Sequence, residues 1–113
     1  MMDNTLVPRI EKVYMEYSSL AGFPSGKCKD VTDELKTLGL TQVGGWFQVD
    51  MPIPYIGIRP KHNWSELDGI IIDLTAAQFN TWLNEPVQPG VLIISPQDSL
   101  YRRYLRVKDM MFC

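Results

Sequence analysis

The sequence predicts an α+β domain in which amphipathic helices pack on a small antiparallel sheet. Two helical segments come first, and extended segments follow, two of them separated by a strong turn sequence. The length of 113 residues is typical of one domain, so we treat residues 1–113 as a single unit. A hydrophobic fraction of 45% is enough to form one core.

Two amphipathic helices are predicted in the first third of the chain. The first spans about residues 7–20, because Pro8 suits a first helical turn, apolar residues recur at helical spacing, and Gly22 can end the helix. A loop rich in glycine, proline and serine follows. The second helix then begins at Cys28 and ends before Gly39, and Cys28 is the first residue of its apolar face.

The rest of the chain favours strands joined by loops and one short helix. Three prolines between residues 50 and 61 predict a loop there, with an edge pairing near 55–58. Gly44-Gly45 indicates a bulge or a close backbone approach. The tail over residues 100–107 is compatible with strand or helix. The predicted strands are 43–49, 62–67, 70–74 and a buried strand at 91–95, with the short helix at 75–83.

The clearest element is a hairpin whose register places His62 and Asp73 on one face. Asp68-Gly69 is a strong two-residue turn signal, and it pairs Leu67 with Ile70. Side chains alternate along strands, so His62 and Asp73 become diagonal neighbours about 7–8 Å apart at the backbone. One hydrogen bond between an imidazole and a carboxylate can bridge that separation.

Cys28 completes a candidate catalytic triad with His62 and Asp73. The unpaired N–H groups and the dipole at a helix N-terminus favour a thiolate, and they can also hold an oxyanion. His62 would take the proton of Cys28, and Asp73 would orient the ring. We expect the helix of Cys28 to pack on the His62/Asp73 face, where the three groups would converge. Cys28 would then attack an amide carbonyl and form a thioester.

At these residues the chain resembles the papain-like and transglutaminase-like superfamily of cysteine enzymes, over about residues 26–79. The order Cys, His, Asp matches that group. The run HNWSELDGIIIDLT (His62 to Thr75) resembles the pattern in which His-x-Trp precedes a hairpin and an Asp-x-Thr. Ala76-Ala77-Gln78-Phe79 is similar to the small-x-Gln-Phe ending of some bacterial and phage members. The compact bacterial glutamine deamidases are the most similar group.

The resemblance implies a papain-like or transglutaminase-like fold and a protein glutamine deamidase with a Cys28–His62–Asp73 triad. Its substrate would be a protein or peptide that carries a glutamine or another amide. From their positions in the sequence, we also expect Trp64 and Gln78 to lie beside the substrate pocket. Acyl transfer to an amine, as in transglutaminases, stays open beside hydrolysis, because the choice depends on water access.

Each of these residues also has a plain structural interpretation. Cys28 is compatible with a buried small apolar residue, and Asp73 with a cap for the helix near Thr75. Trp64 suits the core, and Gln78 suits a cap or the surface. A non-catalytic protein-binding module is therefore the alternative function, with the loop at 51–60 and the basic tail as contact regions.

Composition argues against several other classes. The net charge of −2 disfavours nucleic acid, and we interpret the cluster of Arg102, Arg103, Arg106 and Lys108 as a solvated face. No apolar run approaches the roughly 20 residues that span a bilayer. One histidine and two distant cysteines offer no metal-ligand spacing, so we expect neither a metal nor a cofactor.

Cysteine usage and the N-terminus bear on the compartment. The first residues lack the charged and apolar regions of a secretory signal, and two cysteines form no disulfide framework. We therefore expect a reducing interior such as the cytoplasm, or export as an effector by another route. Cys113 is interpreted as incidental, and a disulfide between Cys28 and Cys113 as conceivable but unsupported.

Overall fold

The computed structural model describes residues 4–107, in which helices pack against a curled five-stranded antiparallel sheet with strand order β4-β3-β2-β1-β5. The α+β prediction is therefore confirmed. Two short 3₁₀ helices, Ala76–Trp82 and Ser99–Arg103, precede β4 and β5 respectively. The helices and strands are α1 (Leu6–Ser18), α2 (Cys28–Lys36), β1 (Thr41–Phe47), β2 (Lys61–Leu67), β3 (Ile70–Asp73), β4 (Leu92–Ile94) and β5 (Tyr104–Arg106).

The hairpin of β2 and β3 has the predicted register. Leu67 pairs with Ile70, and the two turn residues Asp68 and Gly69 have φ angles of 52° and 77°. Two successive left-handed residues match the right-handed twist of the strands in a two-residue turn. Side chains of the hairpin therefore alternate between the two faces of the sheet as the sequence predicted.

Each face of the sheet covers its own apolar core. The helix-side core contains the buried residues of α1 and α2 together with Ile72 and Leu74 of the sheet. The inner core lies on the opposite face, where the curled sheet and the first 3₁₀ helix enclose it. Its members are Val43, Phe47, Val49, Ile53, Trp64, Ile71, Phe79, Leu83, Ile94 and Tyr104.

Several details differ from the sequence prediction because tertiary position overrides local pattern. The strand predicted as buried at 91–95 is β4 at the sheet edge, and Ile93 is 45% exposed there. The ambiguous tail is a 3₁₀ turn followed by β5. The edge pairing near 55–58 is a single bridge between Ile53 and Gly57.

Two arginines of the basic tail, which we predicted to be solvated, form ion pairs with other parts of the chain. Arg103 binds the carboxylate of Asp50 at 3.0 Å and donates to the Gln48 carbonyl, while Arg106 forms an ion pair with Glu66. Both arginines therefore connect the end of the described chain to earlier strands and loops. Lys108 lies outside the described residues.

Gly45 confirms the close backbone approach predicted at Gly44-Gly45. Gly45 pairs with His62 on one side and with Arg106 on the other. A Cβ atom at this position would lie 2.2 Å from the Leu105 carbonyl oxygen and 2.8 Å from the Trp64 ring. The absence of a side chain thus lets β5 and the Trp64 ring approach β1.

We expect Gly45→Ala to destabilise the fold by at least about 2 kcal/mol, because the backbone of β5 must move to admit the methyl group. Urea unfolding measures this loss. Thr41→Ala, at an exposed position on the same strand, is the matched control and should change the free energy of unfolding by less than about 1 kcal/mol. Equal stability of the two variants would contradict the close approach.

Candidate active site

His62 and Asp73 form a direct, buried pair. His62 lies near the start of β2 and Asp73 at the end of β3, and both side chains are essentially inaccessible to solvent. The His62 Nε2 atom is 2.7 Å from Asp73 Oδ2. The diagonal contact predicted from the hairpin register is therefore present.

The Asp73 carboxylate accepts further hydrogen bonds that fix its orientation. Its Oδ1 atom accepts from the Thr75 backbone N–H at 2.9 Å, and its Oδ2 atom accepts from the Tyr104 hydroxyl at 2.7 Å. Burial raises the pKa of Asp73, but the charge and hydrogen bond of His62, helped by the Tyr104 and Thr75 bonds, outweigh burial and hold the pKa below its usual value. The buried carboxylate is therefore ionised and satisfied.

Tyr104 is the member of this group that sequence reasoning missed. It lies on β5 opposite Phe47, and both side chains face the inner core. Burial, followed by the adjacent Asp73 charge, raises the pKa of Tyr104 well above 10.0, so its hydroxyl stays a donor. The signal available in the sequence was a tyrosine in a short strand-like tail, but nothing local indicated which strand the tail would join.

The second ring nitrogen of His62 has no hydrogen-bond partner among the described residues. The ring is held at its sides by Phe47 and Phe79, with centroid separations of 5.9 Å and 5.1 Å and near-perpendicular planes. One nitrogen is thus bound to a carboxylate while the buried Nδ1 has no partner among the described residues. This division of roles is the one that a general base requires.

Cys28 occupies the first position of α2 and is completely buried. Its sulfur is in a disulfide, so it is not a free thiol in this state. Cys113, the other cysteine of the sequence, lies outside the described residues.

The expected packing of α2 on the His62/Asp73 face is wrong. Val31 and Leu35, which follow Cys28 along the same helical stripe, pack with Ile72 in the helix-side core. The His62 ring instead contacts inner-core side chains on the opposite face of the sheet. Apolar periodicity identified the buried stripe of α2 correctly, but it carries no information about which face of the sheet receives it.

A cavity of about 560 Å³ lies at the end of the sheet where Lys61 begins β2. Ser25, three residues before Cys28, lines this cavity from the loop that leads into α2. Lys61, which precedes His62, and Phe79, which contacts the His62 ring, line it from the other side. The loop that leads into α2 and the Phe79 ring beside His62 therefore line one cavity, while Cys28 and His62 themselves are buried and are not among its described lining residues.

Of the two residues expected beside a substrate pocket, Gln78 lines this cavity and Trp64 lies in the inner core. Trp64 is 1% exposed, and its indole N–H donates to Glu66 at 2.9 Å. The Nε2 atom of Gln78 is buried and has no acceptor among the described residues. Gln78 thus lines the cavity and carries a buried amide nitrogen without an acceptor in the described part of the chain, whereas Trp64 supports the hairpin.

Comparisons of the chain with protein-family models, curated proteins and solved structures gave no match. Within residues 4–107, no group of three or more histidine, cysteine or acidic side chains is arranged to hold a metal ion. The helices of this part of the chain are too short or too polar to cross a membrane.

We expect the Asp73 carboxylate to make stability depend on acid. Its pKa is lower in the folded than in the unfolded state, so it stabilises the fold above the ordinary value of about 3.9 and this contribution is lost as pH falls through the folded-state value. Asp73→Asn should lower the free energy of unfolding at neutral pH by at least about 2 kcal/mol. It should also make the free energy of unfolding fall less steeply as pH decreases.

Urea unfolding at stepwise lower pH measures both effects. Glu11→Gln, at an exposed position of α1, is the control for removing one carboxylate. If the free energy of unfolding of Asp73→Asn fell with decreasing pH in the same way as that of the control, Asp73 would not make stability depend on acid as its contacts imply.

Proposed function

We propose that this chain is a cysteine-dependent amide hydrolase of the papain-like or transglutaminase-like type, most concretely a protein glutamine deamidase. The observation that carries the proposal is the buried His62–Asp73 pair, whose ring keeps Nδ1 without a partner among the described residues. A buried imidazole that is oriented by a carboxylate and has no partner at its second nitrogen among the described residues has the form of a general base. Cys28, at the N-terminus of α2, is the proposed nucleophile.

In the proposed reaction, the Cys28 thiolate attacks the carbon of a glutamine carboxamide. The His62 ring then protonates the departing nitrogen, which leaves as ammonia, and a thioester remains. Water attacks the thioester while His62 accepts its proton, and glutamate and the free thiol are released. Asp73 holds the ring and stabilises its protonated form, while backbone N–H groups of the first turn of α2 and the Gln78 amide are the available oxyanion donors.

The disulfide at Cys28 sets a condition on this chemistry. A sulfur in a disulfide is not a nucleophile toward an amide, so the described state is the inactive one. Because α2 packs on the other face of the sheet, the released thiol must meet the His62 ring around the end of the sheet, beside the cavity. The proposal therefore requires a reductant and a local approach of the first turn of α2 to β2.

We expect the reduced protein to release ammonia from glutamine-containing peptides and the non-reduced protein to release none. Cys28→Ala should abolish release, because no other group forms the thioester. His62→Asn should lower it by at least about a hundredfold, the usual scale of general-base catalysis. Ammonia detection together with the mass increase of glutamine-to-glutamate conversion measures the reaction.

Cys113→Ala, assayed under the same reducing conditions as the wild type, is the matched control, because it removes a cysteine to which the proposal gives no catalytic role. Thermal unfolding of each variant shows whether loss of activity reflects loss of the fold. Turnover that survives Cys28→Ala in a folded protein would end the proposal, as would inactivity of the reduced wild type toward a broad set of glutamine peptides.

Tyr104 is proposed as a positioning residue, since its hydroxyl donates to the same carboxylate oxygen that His62 contacts. In Tyr104→Phe we expect kcat to fall by about tenfold with little change in KM, and the acid limb of the pH–rate profile to move because Asp73 loses one donor. Tyr101→Phe, also on the tail, is the control. An unchanged pH profile with reduced stability would assign Tyr104 a purely structural role.

A non-catalytic protein-binding module is the second candidate, and the buried disulfide at Cys28 favours it. The loop before β2 also exposes Tyr55, Ile56 and Ile58. Under this alternative, reduction changes neither ligand binding nor any chemical activity. Alkylation distinguishes the two: a catalytic Cys28 reacts rapidly with iodoacetamide at mildly acidic pH after reduction, whereas a buried structural cysteine stays slow.

A further inference from the structure

We propose that the cavity at the end of the sheet selects acidic protein segments, by holding a large apolar side chain against its walls and a carboxylate against its cationic rim. This inference rests on the proposed function and names the substrate class of the same site. The bound segment would be the one that flanks the target glutamine.

The walls of the cavity are mostly apolar. Trp46 and Trp82 supply large aromatic surfaces, and Phe79 lies between the cavity and the His62 ring. Its volume of about 560 Å³ lies within the usual range of about 300–1,000 Å³ for small-molecule sites. It is therefore large enough for an apolar side chain together with part of its neighbouring chain.

The charged groups at the cavity have one sign. Arg59 and Lys61 line it, and the described lining residues include no aspartate or glutamate. The protein as a whole carries a net charge of −2, so a lining whose charged described residues are both cations departs locally from the overall charge. Such a lining attracts carboxylates and disfavours lysine or arginine on the occupant.

The loop that precedes β2 presents further apolar surface beside these cations. Tyr55 is fully exposed with a φ of 67°, and Ile56 is 60% exposed. A bulky residue held in the left-handed region carries backbone strain. Because both residues line the same cavity, the loop presents an aromatic and an aliphatic side chain to whatever enters.

The position of the cavity connects this recognition to the proposed chemistry. It lies between the Ser25 loop before Cys28 and the Phe79 ring beside His62. Gln78 lines it as well, and its amide Nε2 lacks an acceptor among the described residues. A carbonyl oxygen of the bound segment would satisfy that donor. The occupant is thus a peptide segment with an apolar side chain, a carboxylate and an adjacent amide.

The test uses short capped peptides that contain one glutamine and differ only in its neighbours, with phenylalanine or alanine on one side and glutamate or lysine on the other. Binding is measured by tryptophan fluorescence and calorimetry on the non-reduced wild type, in which no turnover occurs. We expect the phenylalanine–glutamate peptide to bind at least about tenfold more tightly than the lysine peptide or the alanine peptide.

Arg59→Glu should remove the preference for the glutamate peptide over the lysine peptide, with Arg102→Glu, an exposed residue outside the cavity lining, as the matched control. Equal binding of the two peptides by the wild type, binding of neither, or an unchanged preference in Arg59→Glu would overturn the inference. If the protein prefers the glutamate peptide but the reduced protein releases no ammonia, the binding inference stands and the hydrolase proposal is rejected. If the reduced protein releases ammonia equally from all peptides, the hydrolase proposal stands and the binding inference is rejected.

Discussion

The buried carboxylate of Asp73 is the constraint on which the rest of the inner core depends. A charge removed from water is tolerated only when it is paired and fully hydrogen-bonded. Asp73 meets this requirement through His62, Tyr104 and the Thr75 backbone, which belong to three different parts of the chain. The interaction thereby ties β3 to β2 directly and to β5 across the curl of the sheet.

The same requirement explains why the sheet closes around its inner face. Tyr104 reaches Asp73 only because β5 pairs with β1, and β5 approaches β1 only because Gly45 has no side chain. The Arg106–Glu66 ion pair connects the same strand to the end of β2. Gly45 on β1, Tyr104 on β5 and the Asp73 carboxylate on β3 therefore depend on one another.

Sequence reasoning predicted the parts of this arrangement that depend on local chemistry. The Asp68-Gly69 turn set the register of the hairpin, and strand alternation then placed His62 beside Asp73. The tail could not be assigned in the same way, because its pairing with β1 spans about half of the chain and leaves no periodic signal. The face of the sheet that receives α2 was also undetermined, since an amphipathic stripe specifies burial and not its partner.

Buried polar atoms without a hydrogen-bond partner bear on whether His62 has a functional or a purely structural role. A histidine kept only for stability would be expected to use both ring nitrogens, because a buried polar atom without a partner costs about 1–3 kcal/mol. In the described residues His62 leaves Nδ1 unused, and Gln78 leaves its amide nitrogen unused at the neighbouring cavity wall. Ser65 Oγ on β2 is also buried without a partner among the described residues, but Ser65 is not among the cavity-lining residues, whereas Gln78 lines the cavity and the His62 ring contacts its Phe79 wall. Under the proposed function, the reduced Cys28 thiol would pair with Nδ1 of His62, and a carbonyl oxygen of the substrate would accept from the Gln78 amide.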